Sequence, residues 1–501
     1  MLNNLGLTCE AQGLADEAEA CYRQVLAASP DHPDALANLA SLQVSRENFA
    51  AAATSYQRLF AIRREAPAAV WVRRAVAQRR SGDLAGTEES LREAARLAPD
   101  DAGVQVNLAS ACVERQQWAA AEPALRRALE VDPDNAYALS MLAHARQQRC
   151  DWQGLESLFG ALTSQLEAPG ADRRGLVNPF WILAMPASPR AQLHAARRWA
   201  RGFALPSPVP PPVVQVAPGE RLRVGFVSSD FRNHPMVHLS LTFWERIDRT
   251  RFETYAYGLA PEDRGPVGAR VARAFDRFAD VSGESAAATA QRVRGDRIAI
   301  LIDLNGYTTN SREPLFAQRP APVQVNSIGF PGTLGADWYD CILVDRFAAP
   351  EAMQPFYTER LGYMPHSFYP SDTGRMPRGP SPGRAACGLP AQGFVFCCFN
   401  KAFKILPDVF ALWTRLLQAV PGSVMWLLET DPAPSVNLRR EAAAAGVDPA
   451  RLVFAPRIPP HHHLARHAAA DLFLDTFPYG AHTTTNDALL MGLPVLTCAG
   501  E

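Results

Sequence analysis

Residues 38–56 read NLASLQVSRENFAAAATSY, and the same skeleton returns along the first third of the chain. The pair Leu39-Ala40 has counterparts in Leu5-Gly6, Leu108-Ala109 and Leu142-Ala143, at offsets of 34 (5 to 39), 69 (39 to 108) and 34 (108 to 142). Each unit then sets a small residue where two helices must approach closely (Ala18, Ala52, Ala121). A larger residue follows four positions on (Tyr22, Tyr56, Leu125). Prolines 30, 99 and 133 close the units, and proline cannot continue a helix. Between Ala61 and Thr87 the register loosens, and Arg73 or Arg74 stands in the leucine slot.

A fixed period of this length is the tetratricopeptide pattern of paired antiparallel helices, here spanning about residues 1–160. Such units bury their apolar faces only against neighbours, and terminal units normally carry a polar capping face. No cap precedes Leu2-Asn3-Asn4-Leu5, so the expectation is an array that begins inside a longer one. Asparagine is a mediocre helix former, yet Asn4, Asn38 and Asn107 recur in phase just before the Leu-Gly/Ala pair. An amide carries both donor and acceptor. A ladder of them suits the backbone of an extended peptide, and solvated inter-helix contacts are the competing reading.

The 501 residues exceed one core, and the 48% hydrophobic and 20% charged fractions are those of an ordinary globular protein. Fifty basic against 51 acidic residues remove the electrostatic case for nucleic acid. No apolar run of membrane-spanning length occurs, nor does a signal peptide. Nine scattered cysteines without CxxC pairs suit a reducing cytoplasm. The adjacent Cys397 and Cys398 lie in an apolar run that reads as packing.

After the array, residues 161–219 form a helical bridge (Ala191–Arg201) and a stiff proline-rich linker, 205–212. Apolar runs then alternate with helical ones. RLRVGFVSSDF, FETYAYGLA, IAILIDLNGY, VQVNSIGF and YDCILVDRF predict strands of one lobe, 220–375. FVFCCFN, SVMWLLET, RLVFAP, DLFLDTF and LPVLTCAG predict those of a second, 376–501. This alternation implies two Rossmann-like lobes with parallel sheets, whose ligands bind at the carboxyl ends of the strands.

The polar motifs fall at those ends. Asp230 and His234 lie four apart after the first strand; an imidazole near neutral pH is a natural base, and helix capping is the alternative role. Lys401 and Lys404 lie between a strand and a helix, where a lysine can meet a diphosphate or simply be solvated. His482-Thr483-Thr484 opens a helix and offers hydroxyls and free N–H groups to an anion, with Asp487 able to accept ribose hydroxyls; an ordinary N-cap reads the same way. Adjacent histidines 461–463 rarely converge on one metal ion, and no Cys/Asp/Glu companions are evident. Stacking of one of them on a nucleobase, beside Arg466, is the better reading.

In this order after tetratricopeptide repeats, RVGFVSSDFRNHP, DLNGYT, RPAPVQV, GFPGT, YMPHSF, FNKAFK and LDTFPYGAHTTTNDAL with MGLP resemble the O-linked N-acetylglucosamine transferase family, including its bacterial SPINDLY-like members. The resemblance runs nearly the whole chain. It implies a GT-B type glycosyltransferase that needs no metal or other cofactor and moves a sugar from UDP-N-acetylglucosamine to Ser/Thr of acceptor proteins presented by the repeats. It further implies that His234 and Asp230 sit beside the acceptor hydroxyl and that Lys404 neutralises the diphosphate. It puts His463 against uracil with Arg466 nearby, His482, Thr483 and Thr484 on the phosphates, Asp487 on the ribose, and Arg312 near the donor. Animal members carry Gln where this chain has Lys401 and Lys where it has Pro460, both at donor-touching positions. Plant members of similar layout use GDP-fucose, which is the alternative donor; a non-catalytic repeat scaffold is the alternative outside enzymology. Family members continue past the Gly-Glu at 500–501, so the expectation is a second lobe truncated at its C-terminus.

Overall fold

The computed structural model describes residues 1–63, 65–171, 175–375 and 381–500. The expected lobe boundary after residue 375 borders residues outside the described set, and Glu501 lies outside it. The chain divides into two compact units, Met1–Ala145 and the remainder from Arg146.

In the first unit, helices α1 (Leu2–Ala11), α2 (Ala15–Ala28), α3 (Pro33–Ser45), α4 (Phe49–Ile62), α5 (Ala68–Arg80), α6 (Leu84–Leu97), α7 (Ala102–Glu114) and α8 (Trp118–Val131) pack as consecutive pairs, and α9 (Ala136–Gln148) follows. Side chains of Asn48, Asp83 and Asp101 accept from the N–H three residues on, which satisfies orphan donors at the starts of α4, α6 and α7. The small slots Ala18, Ala52 and Ala121 are fully buried, as are Tyr22, Tyr56 and Leu125 beside them.

The loose register resolves into one inserted residue. Arg74 stands 35 after Leu39 and 34 before Leu108, and Thr87 fills the small slot 35 after Ala52 and 34 before Ala121. The Arg74 guanidinium lies 4.7 Å from the Phe60 ring centroid and 5.3 Å from that of Trp71, so cation–π contact occupies the leucine position. Asn38 is half-buried and donates to Asn3 Oδ1 at 3.1 Å, whereas Asn4 and Asn107 are exposed. None of the three belongs to the core.

In the second unit, α10 (Leu155–Glu167), α11 (Pro179–Ile182) and α12 (Pro189–Arg201) form the bridge, and α10 packs on α12. Arg198, 1% exposed, fastens them by donating to the carbonyls of Ala171 and Gln165. Residues 205–212 carry neither helix nor strand.

The first sheet contains β1 (Leu222–Ser228), β2 (Phe252–Gly258), β3 (Arg277–Asp280), β4 (Ile300–Asp303), β5 (Val323–Asn326), β6 (Cys341–Val344) and β7 (Arg360–Tyr363). Its order is β3-β2-β1-β4-β5-β6-β7, with every pairing parallel. The helices along it are α13 (Pro235–Glu245), α14 (Pro266–Arg273), α15 (Ala286–Gly295) and α16 (Glu313–Ala317). The second sheet contains β8 (Val395–Cys398), β9 (Val424–Leu428), β10 (Leu452–Ala455), β11 (Leu472–Leu474) and β12 (Val495–Leu496), in parallel order β10-β9-β8-β11-β12. With it come α17 (Pro407–Ala419), α18 (Pro432–Ala444), α19 (Pro460–Arg466) and α20 (Thr483–Leu490).

Each predicted strand is present, and two more join the first sheet. Those two, β3 and β7, are its edges. Their charged, half-exposed sequences RFAD and RLGY lack the apolar run that marks the central strands. Cys397 and Cys398 are fully buried in the second lobe's core, and burial pushes the Cys398 thiol up to about 12. Cys150 and Trp152 belong to that same core, with Trp152 against Phe410 at 5.4 Å between centroids.

The burial of Ala121 predicts that Ala121→Leu overpacks the α7–α8 pair and costs about 1–3 kcal/mol. Chemical denaturation followed by far-ultraviolet dichroism would show an earlier transition for the helical unit; an unshifted midpoint would contradict this packing.

Candidate active site

In both sheets the strand order reverses beside the first strand, between β1 and β4 and between β8 and β11. In open parallel sheets, loops leaving the strands at such a reversal run in opposite directions, and ligands bind there. Every polar motif singled out above, the repeats and Arg312 aside, comes from these loops or from helices in the second lobe.

On the first lobe, the chain after β1 carries Asp230 and His234. His234 is the N-cap of α13, its Nδ1 accepting from Met236 N–H at 3.4 Å, while Asp230 Oδ2 lies 3.8 Å from the same nitrogen. A ring that accepts at Nδ1 carries its proton, when neutral, on Nε2. Burial lowers the His234 pKa; Arg232 and Lys401 push the same way and Asp230 opposes them. The influence of Lys401 places a second-lobe lysine within electrostatic reach of the first-lobe histidine.

On the second lobe, Asn400 follows β8 and is 3% exposed. Its Nδ2 donates to Asp475 Oδ1 (3.0 Å) and Thr476 Oγ1 (2.8 Å) after β11, and its Oδ1 accepts from Thr484 Oγ1 at the start of α20. Lys404 is carried by the short turn 402–404. Its Nζ donates to Gly480 O at 2.8 Å and sits 3.6 Å from the centroid of the Tyr479 ring. Burial lowers the Lys404 ammonium to about 8, against the pull of Asp475. Lys401 is lowered as well, by burial and then by Arg457.

His482 precedes the first turn of α20, between the rings of Tyr369 (5.8 Å) and Tyr479 (5.6 Å). Burial holds it neutral, at about 4. Thr483 Oγ1 lies 2.9 Å from Tyr369 Oη, and Asp487 Oδ1 accepts from Arg375 Nη2 at 2.9 Å. Both partners belong to the segment that leaves the first lobe. His463 packs on Phe399 (5.1 Å) and contacts Arg466, whose guanidinium covers Phe399 at 4.8 Å and donates to Pro456 O.

The structure thus gathers Asp230, His234, Lys401, Lys404, His482, Thr483, Thr484 and Asp487 at the two switch points, with His463 and Arg466 on α19 beside β8. Arg312 is placed differently: its guanidinium donates to the carbonyls of Val281, Ser282 and Glu284 and to Thr289 Oγ1, binding the loop after β3. Asn400, Asp475, Tyr479, Tyr369 and Arg375 were not singled out from sequence. Asn400 stands inside the FNKAFK motif next to Lys401, and nothing in its spacing marks it. Among the described residues, no three His, Cys, Asp or Glu side chains gather as metal ligands do, and no helix is long and apolar enough to cross a membrane.

A tetratricopeptide unit followed by two parallel Rossmann-like lobes, with lysines and hydroxyls at the start of α20, is the architecture of a two-lobed glycosyltransferase of the GT-B type. The family model "Glycosyl transferase family 41" matches residues 209–379 and 381–501, and tetratricopeptide models match 1–65 and 78–145. The chain belongs to glycosyl transferase family 41. It is 36% identical over 336 residues to the probable UDP-N-acetylglucosamine–peptide N-acetylglucosaminyltransferase SEC of Arabidopsis thaliana, covering 64% of this chain and 34% of that protein. It is 32% identical over 297 residues to the corresponding probable enzyme SPINDLY of rice (Oryza sativa subsp. japonica), covering 56% and 31%. The chain therefore spans about a third of the length of these relatives. A mutant of the Thermobaculum terrenum O-GlcNAc transferase superposes with a TM-score of 0.67 at 29% identity, covering 86% of this chain and 82% of that one.

Burial holds His467 and His482 at about 4 and His463 at about 3, far below the ordinary imidazole value near 6.5. The unfolded chain then binds protons that the folded chain refuses, so stability is lost as pH falls from about 6.5 toward 4. Buried His467 alone contributes about 1 kcal/mol per pH unit in that window. Thermal melting from pH 7 to 5 should show the second unit failing first, with a shallower slope in His467→Gln; identical slopes would contradict the assignment.

Proposed function

We propose that the chain transfers N-acetylglucosamine from UDP-N-acetylglucosamine to serine or threonine of acceptor proteins, with inversion and without a metal ion. The observation that carries this reading is Lys404 beside the His482-Thr483-Thr484 start of α20, at the second lobe's switch point. A half-buried ammonium there, with N–H groups of a helix start, offers a leaving diphosphate the positive charge that a metal would otherwise supply. Family 41 membership and the names of the relatives support the same donor.

In this reading Asp487 takes the ribose and His463, with Arg466, the uracil. Lys401 faces the donor from the His234 side. The acceptor oxygen attacks the anomeric carbon as the bond from that carbon to the phosphate oxygen breaks. The electron pair leaves with the diphosphate, held by Lys404, and the hydroxyl proton passes to the Asp230–His234 pair. With Nδ1 turned to its own helix, His234 presents Nε2–H and orients the acceptor oxygen, and the Asp230 carboxylate is the proton acceptor. The direction of His234's shift keeps that ring neutral near pH 7.

Asn4, Asn38 and Asn107 serve an extended acceptor segment along the repeats: exposure of two and half-exposure of the third leave amides for a peptide backbone. Arg312 supports the first lobe by holding the loop after β3. Free thiols at all nine cysteines favour a cytoplasmic setting. Lys401 and Pro460, which depart from the animal pattern, favour testing GDP-fucose as the second donor.

A donor panel on the chain with a generic protein acceptor tests the proposal. Transfer from UDP-N-acetylglucosamine should fall roughly 10²–10³-fold in Lys404→Ala; equal rates would remove Lys404 from the mechanism, and turnover of GDP-fucose alone would replace the donor. Because Lys404 titrates at about 8, UDP should bind progressively more weakly as pH rises above that value. Calorimetry should find that slope absent in Lys404→Met, and a slope that persists would assign it to another group.

A further inference from the structure

The first lobe contains a buried polar relay that ends on Asp230. Asp303, at the end of β4, is 3% exposed and accepts from Tyr339 Oη at 2.6 Å, from Asn305 N–H at 2.9 Å and from Gly306 N–H at 3.1 Å. These bonds fix the turn 303–306 and with it the side chain of Asn305, which is 1% exposed. Asn305 Oδ1 accepts from Ser229 N–H at 2.8 Å. Its Nδ2 donates to Ser229 Oγ (2.9 Å), Thr308 Oγ1 (3.1 Å) and Asp230 Oδ2 (3.3 Å). That last oxygen is the one 3.8 Å from His234 Nδ1. The backbone at Gly329 passes directly against the turn: a Cβ there would stand 2.1 Å from Leu304 O.

We propose that Asn305 is the positioning residue of the acceptor side, its amide holding the Asp230 carboxylate turned toward His234. Neither Coulomb attraction nor burial alone would keep that carboxylate there. Arg232, half-exposed, pulls Asp230 Oδ1 from the solvent side at 3.3 Å, and the buried amide is the counterweight. A neutral amide anchors Asp230 without taking its charge, so the carboxylate remains able to receive a proton. Tyr339 and Asp303 act one step further back, by fixing the turn that aims the amide. The proposal rests on reading the His234 loop as the acceptor side, and its test does not require that the chain transfer a sugar.

The test is the titration of His234, followed by histidine-selective NMR in the full chain and assigned by loss of its signal in His234→Asn. The groups acting on the ring are Asp230 and Arg232 on its own loop and Lys401 from the second lobe, with His238 one turn along α13 and Asp263 bonded to Asn233 N–H. Asp230 is the one that raises the His234 pKa. Asp230→Asn should therefore lower it, by about half a unit or more. Asn305→Ala should lower it in the same direction, and the double variant should match Asp230→Asn instead of adding to it. Additive shifts, or an unchanged His234 in folded Asn305→Ala, would overturn the proposal. Should Asn305→Ala fail to fold, Tyr339→Phe decides: it keeps the ring stacked on Phe316 at 5.3 Å while releasing Asp303 Oδ2 alone. A lowered His234 supports the relay there and an unmoved one refutes it. In transfer assays, folded Asn305→Ala should lose at least about tenfold in kcat with the donor KM unchanged, because the amide stands on the lobe opposite the diphosphate pocket.

Discussion

One buried amide holds the second lobe's pocket together. Asn400 bonds simultaneously to the segment after β11 and to the first turn of α20, so the ends of β8 and β11 and the start of α20 share a single side chain. Asp475 extends the tie, accepting from the N–H groups of Thr476 and Ala481 as well as from Asn400. Lys404 can then be buried against Gly480 O and Tyr479 because the loop supplying them is already pinned. A lysine partly deprived of water is a stronger anion ligand than an exposed one, provided its surroundings do not collapse when the anion leaves.

The two lobes repeat the strand order around their first strand and carry different side chains at its end. At the β1/β4 switch the strand ends lead into Asp230 and Asp303, the latter raised to about 6 by burial. At β8/β11 they lead into Lys401 and Lys404. Parallel sheets force both sets of loops to the carboxyl ends, so fold alone places the loops, and residue identity at a few loop positions decides the charge each lobe presents there. Asn305 and Asn400 occupy equivalent roles, each a buried neutral amide that fixes charged neighbours without altering the charge.

Sequence reading captured the elements whose signal is periodic or strongly apolar. The repeats were legible because burial of Ala18, Ala52 and Ala121 demands small residues at a fixed spacing, and the central strands because both faces are covered. Edge strands β3 and β7 carried no such signal. Arg74 was ambiguous with Arg73 because a one-residue insertion is invisible until Phe60 and Trp71 are seen to flank it. Charged and hydroxyl-bearing site residues were recognisable by type. Their supports were not: Asn400 and Asn305 read as unremarkable loop amides, and the partners of Tyr369 and Arg375 lie more than a hundred positions away. Arg312 shows the converse. Its guanidinium is bound by backbone carbonyls of residues 281–284 that no spacing argument reveals.

The lobes are tied to one another at the pocket itself. Tyr369, Ser371 and Arg375, on the chain leaving the first lobe, bond to Thr483, Asn486 and Asp487 on α20. Any ligand that takes a hydroxyl of Thr483 or the bonded oxygen of Asp487 therefore competes with first-lobe partners, whereas one that uses Asp487 Oδ2 leaves the Arg375 pair intact. The second route costs less, since breaking a pair whose side chains are 13% and 11% exposed would strand a desolvated charge. Arg375 thus orients Asp487 in advance, with Oδ1 committed to the guanidinium.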